Sequence, residues 1–199
     1  MKIFFILLIL FTVSCSTSFS DQRKAIIYLH GMGSDPIKGE QLNINRLKYL
    51  AEKNNFEFIL PRAQGNCSYL KKKRKEQICW DHLNINKELG VILEKVKGYR
   101  EIIILGFSNG GYLLGGALQR GYLNNVSKVG ILSGGGIGTK VSHKRISPKV
   151  FIEVGKKDEW NKKWGLKLKN MLSRKSENVI YYREIDRSHF PIPAVPPKN

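Results

Sequence analysis

Past residue 20 the chain alternates between short apolar runs and longer segments with helical spacing. The runs are "AIIYL" (25–29), "FEFIL" (56–60), "EIIIL" (101–105), "KVGIL" (128–132), "KVFIEV" (149–154) and "NVIYY" (178–182). Each is β-branched or aromatic and mostly continuous, as expected of strands covered on both faces. Between them, apolar residues recur at helical intervals. Leu42, Leu47, Leu50 and Ala51 mark one stripe; Ile85, Leu89, Leu93 and Val96 mark a second. Leu113, Leu114, Ala117 and Leu118 form a third, and Trp160, Trp164, Leu168 and Met171 a fourth. Stripes of this kind are expected to face the core. Strands alternating with helices predict right-handed crossovers and an α/β fold: a mainly parallel sheet of about six strands between helices. The pattern contains no internal repeat and no long linker.

The first residues follow a different rule. "MKIFFILLILFTVSCSTSFS" carries one lysine, an apolar run from Ile3 to Val13 and then small residues. This is the pattern of an export signal, too short for a comfortable membrane span. We therefore divide the chain into a signal region, 1–20, and a single domain, 21–199. Two processing routes fit. Ser18 and Ser20 can precede a cut at Asp21, or "FTVSC" can act as a bacterial lipoprotein signal with Cys15 lipidated. The second is favoured, because a cysteine just after an export signal otherwise lacks a purpose. The expected location is outside the cytoplasm: membrane-anchored through Cys15, otherwise periplasmic or secreted. In that oxidising setting Cys67 and Cys79 are expected to pair.

Composition adds two facts. The 199 residues carry a formal net charge of +18, while hydrophobic residues make up 42%. The second figure suits a globular domain and argues against disorder. The first favours an anionic surface such as lipid headgroups, unless the charge is only a solvated exterior. Nucleic acid is not expected: the basic run "KKKRK" (71–75) lacks interleaved aromatic residues. No metal-ligand spacing and no nucleotide-binding loop occur, so neither a metal nor a cofactor is expected.

In an open parallel sheet, ligands bind beyond the carboxyl ends of the strands. Four polar segments fall there: "HGMGSD", "GFSNGG", "GKKDEW" and "DRSHF". Ser108 lies in a G-x-S-x-G pattern between a strand and a helix, where a nucleophile is presented on a tight elbow. Serine needs a base, which His189 can supply, and an acid to fix the imidazole tautomer, which Asp158 can supply. Glu159 and Asp186 are the competing acids. Gly106 and Gly110 are expected to be small for steric reasons. Charge on a reacting carbonyl oxygen requires preorganised donors, and the backbone N–H groups of Asn109 and Met32 are the candidates. His30 would hold the Met32 loop, while His82 and His143 are read as structural.

These segments together resemble the α/β-hydrolases, and most closely the small carboxylesterase and phospholipase-type group that includes acyl-protein thioesterases. The resemblance spans residues 25–191. "IIYLHGMGSD" is similar to the group's oxyanion loop, "ILGFSNGGYLLGGAL" to its elbow and following helix, and "FIEVGKKDEW" and "RSHFP" to its acid and histidine turns. "CWDHLN" is a looser echo of its Trp-Phe-Asp segment, without the Phe, and implies a substrate-binding role for Trp80. "NCSYLKKKRKEQIC" (66–79) departs from the group. The resemblance implies hydrolysis of carboxylic esters or thioesters, with small-molecule or lipid-like substrates. A transacylase using the same residues, or a non-catalytic binder using the basic loop, is the alternative.

Two further expectations follow from the connections. The segment 133–148 leaves no room for a large helical lid. A Cys67–Cys79 bond would pin a basic flap near the mouth of the site.

Overall fold

A computed structural model of the chain describes residues 23–67, 77–138, 145–175, 178 and 180–189. The signal region with Cys15, the basic run 71–75 and His143 lie outside the described residues. Six of the strands form one sheet in the order β2-β1-β5-β6-β7-β8, every neighbouring pair parallel. They are β1 (Lys24–Leu29), β2 (Glu57–Ile59), β5 (Glu101–Phe107), β6 (Lys128–Leu132), β7 (Lys149–Gly155) and β8 (Ile180–Ile185). Alternate strand residues serve opposite faces. Ala25, Ile27 and Leu29 join Ile102, Ile104, Val129, Ile131, Ile152 and Val154 in the larger core cluster. Tyr28 and Phe107 face the other way, into a smaller cluster with Ile44. This is the expected α/β architecture, a parallel six-stranded sheet flanked by helices.

On the larger cluster lie α3 (Ile85–Glu94), α4 (Asn109–Arg120) and α5 (Glu159–Ser173); α2 (Gln41–Lys53), preceded by the single turn α1 (Pro36–Gly39), covers the smaller one. Among the described residues no helix is long and apolar enough to cross a membrane. The α4 stripe is buried throughout, as its spacing predicts.

Two other stripes are rotated from their expected positions. On α2 the buried residues are Ile44 and Ala51, with Leu47 packed beside them, whereas Leu42 is 70% exposed. On α5 the inward face is Asn161, Gly165, Leu168 and Leu172. A Cβ at Gly165 would stand 2.9 Å from Val154 Cγ1, so the helix seats on its smallest residue. That close approach turns Trp160 outward, 65% exposed.

The segment between β2 and α3 adds elements that periodicity cannot show. Two-residue strands β3 (Gly65–Asn66) and β4 (Ile78–Cys79) pair antiparallel, and a disulfide joins Cys67 to Cys79. Ile78 N–H donates to the Gly33 carbonyl (2.8 Å), and Gly33 N–H donates back (3.3 Å). Ile78, beside the disulfide, is thereby paired with the loop that follows β1.

Candidate active site

The elbow after β5 is set by backbone crowding. A Cβ on Gly106 would fall 2.5 Å from the Gly110 carbonyl oxygen, and one on Gly110 would fall 2.4 Å from that of Leu29. Neither contact is tolerable, so both positions require glycine. Between them Ser108 adopts φ 49°, in the left-handed region that L-residues rarely enter. Its N–H donates to the Leu132 carbonyl (2.9 Å), and its carbonyl accepts from Tyr112 N–H (2.9 Å). The strain is held from both sides, and the hydroxyl is left at the sheet's carboxyl edge.

There it meets two of the side chains singled out by sequence. His189 Nε2 lies 3.0 Å from Ser108 Oγ, and His189 Nδ1 lies 2.7 Å from Asp158 Oδ2. A carboxylate only accepts, so Nδ1 carries the proton and Nε2 accepts from the serine hydroxyl. Among the three acids, Asp158 is the one against the imidazole. Glu159 begins α5, exposed, and Asp186 is exposed beside Lys157. Asp158 also caps α5, its Oδ1 accepting from Asn161 N–H (3.4 Å).

The cleft around Ser108 encloses about 410 Å³ and is lined by Met32, Gln77, Asn109, Tyr112, Trp160, Asn161 and His189. Met32 and Asn109, the two candidate oxyanion donors, thus share it with the serine. Asn109 is the first residue of α4, where N–H groups have no intrahelical partner. Its side chain is anchored: Oδ1 accepts from Trp80 N–H (2.8 Å), and Nδ2 lies 3.1 Å from His82 Nε2. His82, expected to be structural, therefore supports a cleft residue.

The loop before Met32 is held by buried groups. His30 Nδ1–H donates to the Gly31 carbonyl (2.6 Å), while Nε2 accepts from Ala63 N–H (3.1 Å). Burial lowers its basicity, so it stays neutral in this role. Gly31 N–H donates to Glu40 Oε1 (2.7 Å), and Tyr28 O–H donates to Glu40 Oε2 (2.6 Å). Burial pushes the Glu40 carboxyl up to about 7.

Trp80, expected from the resemblance to bind substrate, is placed beneath the loop that follows β1. It is 1% exposed and does not line the cleft. Its Nε1–H donates to the His30 carbonyl (2.8 Å), and the two rings pack 5.0 Å apart. An indole N–H buried in the core needs an acceptor, and the loop after β1 supplies it. The neighbouring Asp81 accepts from Leu83 N–H and Asn84 Nδ2, opening the turn into α3. Trp160 takes the cleft position instead.

Glu40, Gln77, Tyr112, Trp160 and Asn161 were not anticipated as site residues. Asn161 had a legible signal: it stands three positions after Asp158, the spacing at which an N-cap side chain accepts from the N3 backbone N–H. Glu40 had none, since an acidic residue between short helices reads as surface. Among the described residues no group of three or more His, Cys, Asp or Glu is placed to hold a metal ion.

Compared by sequence, the chain matches no family model and no curated protein. Compared by structure, it resembles several hydrolases at low identity. A Bacillus cereus carboxylesterase superposes with a TM-score of 0.61 at 18% identity, covering 87% of this chain and 84% of that one. A Zea mays acyl-protein thioesterase 2 superposes with a TM-score of 0.58 at 14% identity, covering 87% and 89%. An α/β-hydrolase enzyme from a Medee basin deep-sea metagenome superposes with a TM-score of 0.57 at 14% identity, covering 85% and 71%. The sheet order, the strained serine elbow and these likenesses lead to one conclusion: the protein has the α/β-hydrolase fold.

Proposed function

We propose that the protein is a serine hydrolase that cleaves carboxylic esters or thioesters through an acyl-enzyme on Ser108. The observation that carries this is the linear arrangement Ser108 Oγ, His189, Asp158, with separations of 3.0 and 2.7 Å. In the first step Ser108 Oγ attacks the substrate carbonyl as its proton passes to His189 Nε2. Asp158 stabilises the imidazolium and holds its orientation. Negative charge on the carbonyl oxygen is met by Met32 and Asn109 N–H. The imidazolium then protonates the departing alcohol or thiol, leaving the acyl group on Ser108. Water enters, gives a proton to Nε2 and releases the acid by the reverse sequence.

The esterase and thioesterase among the structural neighbours support an ester-type substrate. A small or accessible ester suits a cleft of this size. We further propose that the protein is exported, anchored through a lipidated Cys15, and works at an anionic membrane surface aided by its charge. The test of the chemistry is labelling by a fluorophosphonate probe, which acylation-competent serines attack. The wild-type protein should be labelled and Ser108→Ala should not. Absence of wild-type labelling, or equal labelling of the variant, overturns the serine mechanism.

A further inference from the structure

The acid of the site does not stand alone. Asp158 Oδ2 accepts from His189 and also from Asn161 Nδ2–H, at 2.7 Å each. Asn161 is buried, and its Oδ1 accepts from Tyr112 O–H (2.7 Å). The order of these bonds has a direction. An amide oxygen only accepts, so the Tyr112 hydroxyl must donate to it. Burial pushes the Tyr112 hydroxyl well above its ordinary range, so the donor keeps its proton. With Oδ1 committed to Tyr112, the amide can turn only its N–H₂ end toward Asp158 and His189.

We propose that Asn161, oriented by Tyr112, is a positioning residue that holds the Asp158 carboxylate against His189. This rests on the serine mechanism above. The physical case concerns competing geometries. As the N-cap of α5, Asp158 has a second claim on its carboxylate through Asn161 N–H. One oxygen serves the helix and the other must stay aimed at the imidazole. A second donor on that outer oxygen fixes the rotation of the carboxylate, which the long 3.4 Å capping bond alone does weakly. Asn161 Nδ2 also lies 2.9 Å from His189 Nδ1. Two nitrogens that both carry protons gain nothing from each other, so this contact is proximity. It shows how tightly the amide is packed beside the imidazole.

Asn161→Leu keeps the approximate volume and removes the amide. Tyr112→Phe keeps the ring and removes only the hydroxyl that orients it. The first should slow fluorophosphonate labelling of Ser108 about 10- to 100-fold, as expected for loss of a hydrogen bond to a charged group; the second should slow it about fivefold. With a p-nitrophenyl ester the loss should fall on kcat, with KM within about twofold of wild type, as for a defect in the reacting geometry. The far-downfield proton resonance of a His Nδ1–H bonded to carboxylate should shift or broaden in both variants. A folded Asn161→Leu with wild-type labelling rate overturns the proposal. If Asn161→Leu does not fold, Tyr112→Phe decides: an unchanged labelling rate and resonance overturn it. Failure of the serine mechanism looks different, because the wild-type protein itself would then resist the probe.

Discussion

Glu40 offers a stability measurement that tests the anchoring of the loop after β1. Its carboxyl is buried, accepting from Gly31 N–H and Tyr28 O–H, and burial raises it from an ordinary 4.5 to about 7. Desolvation is the larger effect; the two hydrogen bonds oppose it without cancelling it. In the unfolded chain the same group titrates near 4.5. Between pH 4.5 and about 7 the native state therefore holds a proton that the unfolded state has released. Stability must fall as pH rises through this window. At about 1.4 kcal/mol per pH unit, the full cost above pH 7 is about 3 kcal/mol. Glu40→Gln keeps the shape and an acceptor for Gly31 N–H but cannot ionise. Urea unfolding of both proteins from pH 4 to pH 8 isolates the group, because all other titrations cancel in the difference. The variant should gain about 3 kcal/mol on the wild-type protein between the ends of the range. A difference that does not change with pH would refute the reasoning.

Three further outcomes are expected. Replacing Cys67 and Cys79 by Ser should lower the unfolding free energy by about 2–4 kcal/mol, read in urea. If the clamp also presents the basic run 71–75 to substrate, neutralising Lys71 to Lys75 should lower the preference for anionic over neutral esters; an unchanged preference would make that run a solvated surface. For the full-length precursor expressed in bacteria, Cys15→Ala should move the protein from the detergent phase to the aqueous phase. Partitioning that is the same in both forms would exclude lipid attachment at that residue.

How much of this could be read from the chain differs residue by residue. The order of strands and helices follows from local periodicity. Ser108, Asp158 and His189 could be singled out because a parallel sheet places its strand ends at one edge, so position after a strand is position in space. Gly106 and Gly110 are of the same kind, since an elbow there leaves no room for a Cβ. Spacing along the chain carries less information about which way a helix faces. Trp160 and Leu168 belong to one apolar stripe, yet Gly165 lets α5 settle on its small face and puts Trp160 in the cleft. Trp80 met the opposite outcome, because its indole N–H found the His30 carbonyl beneath the loop. Glu40 was least visible, and Asn161 showed only its spacing from the Asp158 cap. A polar side chain is buried only where partners from distant segments meet it, and Gly31, Tyr28, Asp158 and Tyr112 meet these two only once the sheet has formed. Local pattern thus determined which residues stand at the edge of the sheet. Packing between distant segments decided which of them touch.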